Sequence, residues 1–168
     1  MQHLILALLT YFSLAAQVAC GTALAIGECR PPLMWLPVIL ALKWFDDARG
    51  IAWAAIIGLL ADGLSNGRFG QEMLATTLAS AMMLPLLPEP RSRSALPMLV
   101  WQFALIGSGL LLTHGYGSLF EGNGPLMLGA LPLIAVEAAY GAILFAVAAK
   151  VVGTFHVPSA RRPESLRC

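Results

Sequence analysis

Long apolar runs alternate along this chain with short segments rich in charge, proline and glycine. The first run, Leu4–Ile26, has 23 residues and no charged side chain. A helix that crosses a bilayer needs about 20 such residues. No Lys or Arg precedes the run, as a cleaved secretion signal would require. The pattern therefore predicts a retained membrane helix at the N-terminus.

Five further apolar runs predict five more helices, separated by polar turns. Their predicted bounds are Leu33–Phe45, Ile51–Leu64, Phe69–Leu87, Leu96–His114 and Leu126–Val152. The run Leu33–Phe45 covers only roughly 20 Å, against roughly 30 Å for the hydrocarbon core. We favour a short, kinked span here, with a half-helix buried among its neighbours as the alternative.

The composition agrees with a membrane protein. The chain is 58% apolar and 11% charged, and its mean hydropathy is +0.78. Soluble domains average about 25% charged residues. The net charge of +1 gives no argument for binding nucleic acid. We predict an all-α integral membrane domain over residues 1–155 and a disordered cytoplasmic tail over 156–168, since the tail is polar and contains two prolines.

The basic residues indicate an orientation. With six spans, both termini lie on one side of the membrane, and two basic residues fall on the other side, Arg30 and Arg68. The side of the termini carries eight: Lys43, Arg49, Arg91, Arg93, Lys150, Arg161, Arg162 and Arg167. Cytoplasmic loops are enriched in Lys and Arg. The count therefore predicts that both termini are cytoplasmic.

The third predicted helix ends on an unusual stripe. Gly50, Ala54, Gly58 and Asp62 recur every four residues, which places them on one helix face. Asp62 is either structural, paired with Arg68 or capping the fourth helix, or part of a binding or coupling site. Catalysis is the least favoured use of this carboxylate.

A second acid, Glu137, lies near the middle of the sixth predicted helix. Water does not reach that depth without a cavity, so the carboxyl needs a partner. We expect either hydrogen bonds from Gln17, Gln102 or His114, or a carboxyl kept protonated by desolvation, and a role in helix packing or partner contact. Small residues, Ala138, Ala142 and Ala146, follow it at helical spacing.

Catalytic and metal sites are not predicted. The sequence has no nucleophile elbow and no His-Glu-x-x-His pattern. Three cysteines, Cys20, Cys29 and Cys168, lack metal-ligand spacing, and a disulfide framework is not expected. We therefore predict no catalytic residue, no bound metal and no cofactor.

One part of the chain, about 45 residues from Arg30 to Leu74, resembles a known family. It carries Arg30-Pro31 before a short apolar helix, then Gly58-x-x-x-Asp62-x-x-Ser65, then Gly70-x-x-x-Leu74. This pattern is similar to the bacterial rod-shape-determining protein MreD family. Gly63 departs from it, because an apolar residue is expected after the acid. The resemblance carries Gly58, Asp62 and Gly70 over as motif positions.

The resemblance implies a non-catalytic membrane component of the machinery that elongates the bacterial cell wall. It implies a fold like that of the substrate-binding subunits of energy-coupling-factor transporters. The partners it implies are MreC, the MreB filament and the glycosyltransferase RodA, in the cytoplasmic membrane. A second copy of the chain is a further candidate partner, through Glu137 and the small-residue stripes. The alternative of a different class is a substrate-capture subunit of a vitamin transporter, with a ligand cavity near the outer face.

Overall fold

A computed structural model describes residues 1–20, 23, 30–64, 69–88, 96–121 and 127–152, and its regular structure there is helical. Six α-helices follow one another, with a 3₁₀ turn at Leu84–Leu86 after the fourth. Their bounds are α1 Gln2–Cys20, α2 Trp35–Trp44, α3 Asp47–Leu64, α4 Gln71–Met83, α5 Leu96–Glu121 and α6 Met127–Val152.

Consecutive helices pack against each other in chain order, and α2 is in the centre. This short helix contacts α1, α3 and α4. Its Trp35, Val38 and Leu42 are almost completely buried. Burying large apolar side chains against three neighbours accounts for a stable helix of only 10 residues.

Among the described residues, three helices are long and apolar enough to cross a membrane, and they are α1, α5 and α6. Most of their surface is not buried inside the protein. Exposed apolar side chains include Leu8, Phe12, Val136, Ile143 and Val147. Contiguous apolar surface of this kind marks contact with lipid or another protein. The chain has the character of a multi-pass membrane protein.

The helix bounds differ from the predicted ones by more than two residues at four places. Helix α1 ends at Cys20 and Ala23 lies in a turn, whereas the predicted helix extended to Ile26. Helix α3 begins at Asp47, four residues before its predicted start at Ile51, so the charged residues Asp47 and Arg49 lie in its first turn. An acid there is favourable because the helix N-terminus carries partial positive charge. Helix α5 continues to Glu121, seven residues beyond its predicted end at His114. Helix α4 ends at Met83. The predicted tail, 156–168, lies outside the described residues.

Two glycines let helices approach closely. A Cβ on Gly58 would lie 2.7 Å from the Met73 Cα, and a Cβ on Gly109 would overlap the Trp35 ring. Only glycine fits at such distances. Gly58 therefore sets the separation of α3 and α4, and Gly109 admits the Trp35 indole from α2 against α5.

Candidate functional site

Asp62 lies in the last turn of α3 and joins this helix to α4. Asp62 is buried, with 4% of its surface exposed. Oδ1 accepts the backbone N–H of Glu72 at 2.9 Å, and Oδ2 accepts that of Met73 at 3.0 Å. The first amides of a helix have no partner within the helix. The carboxylate of one helix therefore satisfies the N-terminus of the next.

The reason α4 needs this partner lies in its own N-cap residue. Gly70 occupies that position with φ of 94°, in the left-handed region, and has no side chain to accept a hydrogen bond. A capping Ser, Thr, Asp or Asn would usually serve the amides locally. Here the acceptor comes from ten residues upstream. Of the two structural readings of Asp62, the structure shows the cap; Arg68 lies outside the described residues.

The predicted small-residue stripe is the surface of α3 that faces its neighbours. Gly50, Ala54, Gly58 and Asp62 are all buried. The Thr76 hydroxyl of α4 lies 3.1 Å from the Ala54 carbonyl oxygen and 2.7 Å from that of Glu72. The stripe is thus a close helix–helix contact that includes polar groups.

The hairpin α3–α4 is also fixed to α5. The Gln71 Nε2 donates to the Thr113 carbonyl oxygen at 2.8 Å. At the opposite end of α4, the Trp101 indole N–H donates to the Met83 carbonyl at 2.8 Å. Both ends of α4 are therefore held by hydrogen bonds from neighbouring helices.

Glu137 does not have the partners that we expected. Its Oε1 lies 3.4 Å from the backbone nitrogen of Arg30, a long hydrogen bond. Gln17 instead accepts the Met34 N–H at 3.0 Å. Gln102 is buried, and its Oε1 has no hydrogen-bond partner within the described part of the chain. His114 is exposed. The carboxyl is only partly buried and faces the segment that leads into α2.

The backbone N–H groups of this segment, residues 30–36, have hydrogen-bond acceptors. Pro31 and Pro32 have no N–H. The amides of Leu33, Trp35 and Leu36 bond carbonyls two or three residues earlier. The two remaining amides donate to side-chain oxygens of other helices. The Arg30 N–H donates to Glu137 Oε1 on α6, and the Met34 N–H donates to Gln17 Oε1 on α1. Met34 is buried, and a buried, unpaired N–H is costly, so the hydrogen bond from Met34 to Gln17 stabilises the entry to α2.

Sequence reasoning found Asp62, Gly58 and Gly70 but missed the role of Gln17 and the partner of Glu137. The Pro31-Pro32 pair signalled a non-helical entry to α2. It did not show which distant side chains would bond the flanking amides, because that depends on how α1 and α6 pack.

The described residues offer little to a ligand or metal. They include no group of three or more His, Cys, Asp or Glu side chains placed to hold a metal ion. A cavity of about 90 Å³ lies between α1 and α3, lined by Leu14, Gln17, Val18, Ala61 and Leu64. A site for a drug-sized ligand is about 300–1,000 Å³. The cavity has room for a few water molecules.

Comparisons of the chain with known protein families, with curated proteins and with solved structures gave no match in any of the three.

Proposed function

We propose that the chain is a non-catalytic, multi-pass component of the bacterial cytoplasmic membrane that serves as a scaffold in cell-wall elongation, as its resemblance to the MreD family implies. The observation that carries the proposal is the use of Asp62. Both carboxylate oxygens bond the amides of α4. The acid of the motif is thus occupied in joining two helices, which suits a scaffold better than an enzyme.

The proposed topology has six crossings with both termini in the cytoplasm. Helices α1, α5 and α6 account for three of them. Helices α3 and α4 are the fourth and fifth, and the short α2, continued by its buried entry segment, is the sixth. The eight-to-two distribution of basic residues supports this orientation.

The polar groups near the outer ends of the helices support a scaffold. The Glu72 N–H donates to Asp62, and the Gln71 side chain donates to the Thr113 carbonyl oxygen, so these bonds join α3, α4 and α5. A capture subunit would direct several polar groups into one pocket of ligand size. The cavity of about 90 Å³ is lined mainly by apolar side chains. The alternative, a vitamin-capture subunit of an energy-coupling-factor transporter, has less support for this reason.

The partner of the scaffold is an MreC-like single-span protein, working with MreB and RodA. The test is co-expression of the chain with a tagged MreC-like protein from the same genome and purification in mild detergent. We expect the two to co-purify, and an unrelated single-span protein of equal length to be lost. Co-purification with a transporter ATPase pair instead, together with retention of a vitamin, would overturn the proposal in favour of the capture subunit.

A further inference from the structure

One face of α2 is accessible from outside the bundle. Helix α2 packs along α1, α3 and α4, and most of its residues are buried. Those that are not buried are Leu36, Leu40, Lys43 and Trp44. Leu36, Leu40 and Lys43 follow one another at spacings of four and three, so they share one side of the helix. We call these three residues the open face of α2.

A cluster of aromatic side chains lies just beyond the open face. The His3 ring of α1 stacks with Phe45, the centroids being 4.5 Å apart, and with Trp53 of α3 at 5.8 Å. The Trp53 indole N–H donates to His3 Nδ1 at 3.1 Å. The apolar window of α1 begins one residue before His3. Rings with a polar tip are enriched where the hydrocarbon meets the headgroups, so Lys43, two residues before Phe45, lies close to the membrane boundary.

The charge of Lys43 is not paired within the described residues. Lys43 is exposed and has no ion pair there. Of the two acids that follow it, Asp46 lies 4.0 Å from Arg49. Asp47 is in the first turn of α3, where the partial positive charge of the helix end favours an acid. Lys43 is therefore a cation that an anion in the headgroup layer can approach.

The open face thus has a cation at the boundary and two leucines on its hydrocarbon side. Leu36 lies about 10 Å from Lys43 along the helix axis. A phospholipid has matching groups in the same order, a phosphate at the boundary and an acyl chain below it. A helix of another protein, or of a second copy, would have to supply an acid, because covering an unpaired charge with apolar protein is costly. The distribution of charge favours a lipid.

We propose that the open face of α2 binds one anionic phospholipid, whose phosphate pairs with Lys43 and whose acyl chain packs on Leu36 and Leu40. On the proposed topology this lipid is in the cytoplasmic leaflet. A lipid with net negative charge is preferred, because a zwitterionic headgroup carries its own cation beside the phosphate. The site needs no partner protein, so its failure and that of the scaffold function are distinguishable.

The test uses the full chain alone, in vesicles of phosphatidylethanolamine that contain a minor share of phosphatidylglycerol with the same acyl chains. The photoreactive residue benzoylphenylalanine replaces Leu40, and mass spectrometry identifies the lipids that it captures. We expect phosphatidylglycerol to be enriched about fivefold over its share of the bilayer. Adding Lys43→Gln should return the captured lipids to the bulk proportion, whereas Lys43→Arg should keep the enrichment.

Ile56 provides the matched control position. It is 45% exposed on the apolar surface of α3, and the same photoreactive residue there should capture the two lipids in their bulk proportion. Capture in bulk proportion at position 40 as well would overturn the proposal. An adduct between position 40 and a second copy of the chain, in place of lipid, would also overturn it and would make the open face a protein interface.

A second measurement uses the native residue at position 40, in case the photoreactive variant fails to fold. In native mass spectrometry we expect phosphatidylglycerol to remain bound under conditions that remove phosphatidylethanolamine. Lys43→Gln should abolish that difference, and Arg49→Gln, which removes an exposed cation at the same end of the bundle, should leave it. Equal effects of the two substitutions would contradict a specific role of Lys43.

Discussion

The Oδ2 of Asp62 lies 3.0 Å from the backbone nitrogen of Met73, eleven residues further along the chain. This contact makes the end of α3 and the beginning of α4 one unit. The negative charge also lies where the dipole of α4 favours it. A residue that the sequence presents as a costly charge in an apolar helix is therefore a stabilising part of the hairpin.

Asp62→Ala should destabilise the protein by about 2 kcal/mol, the upper end for loss of a helix cap, since buried amides are left unpaired. The measurement is thermal unfolding in lipid nanodiscs. Asp62→Asn retains one acceptor oxygen, so its stability should lie between that of the wild type and that of Asp62→Ala. The matched control is Asp46→Ala, which removes an exposed acid from a surface ion pair with Arg49 and should change stability by less than about 1 kcal/mol. Equal effects of Asp62→Ala and Asp46→Ala would contradict the capping role.

Gly58→Ala should destabilise the contact between α3 and α4 by about 1–3 kcal/mol. The added methyl would lie 2.7 Å from the Met73 Cα and 2.8 Å from the Glu72 carbonyl oxygen, so backbone has to move. Gly63→Ala is the control on the same helix, because nothing lies within 4 Å of its added Cβ. Alanine has the higher helix propensity, so that variant should be neutral or slightly stabilised. Similar unfolding midpoints for the two variants would show that the helices do not approach as described.

Gly70→Ala should cost about 1–2 kcal/mol, for a different reason. The surroundings of Gly70 are open, but its φ of 94° is unfavourable for a residue with a Cβ. Gly70→Asn should be tolerated better, because asparagine adopts the left-handed region more readily than alanine. Chemical denaturation of the two variants side by side tests the order. An alanine variant as stable as the wild type would rule out the left-handed conformation.

Gln17→Leu should destabilise the protein by about 1–3 kcal/mol, since it leaves the Met34 amide without its acceptor. Gln17→Glu keeps an acceptor oxygen at that place and should recover part of the loss. Ser13→Ala, one turn earlier on α1, serves as the control and should have a small effect. Hydrogen exchange at Met34 reports the change directly: the amide should exchange faster in Gln17→Leu than in Ser13→Ala. Unchanged exchange would show that Gln17 does not protect it.

The orientation has its own test. In a cysteine-free background, a cysteine at Ser118, near the end of α5, should react with an impermeant thiol reagent from outside. A cysteine at Ser92, between Arg91 and Arg93 in the sequence, should react only after the membrane is opened. The reverse pattern would overturn the proposed orientation.

Much of the fold follows from the sequence because hydrophobic runs and their interruptions are local signals. The Gly50–Asp62 stripe predicted a close helix contact, and α4 provides it at Thr76. The full length of α5 was not predicted, because Gly115 and Gly117 interrupt the apolar pattern after His114, although glycine is tolerated in apolar helices.

The candidate site was predictable in its parts, and the capping of α4 by Asp62 was one of the predicted pairings, but the pairing of Glu137 was not predicted. Asp62 and Glu137 stand out as acids within apolar helices. That Glu137 meets the amide of Arg30, and not a side chain of Gln17 or Gln102, depends on how deeply the segment before α2 enters the bundle. No local pattern encodes that depth.

The short α2 has a consequence for how the chain is made. With 10 residues, it is about 15 Å long, too short to be recognised alone as a span by the insertion machinery. One amide partner of its entry segment, Gln17, has already been synthesised when α2 emerges. The other, Glu137, comes 107 residues after Arg30. The entry to α2 can therefore be completed only when the last helix has left the ribosome, and a chain truncated before α6 would lack that hydrogen bond.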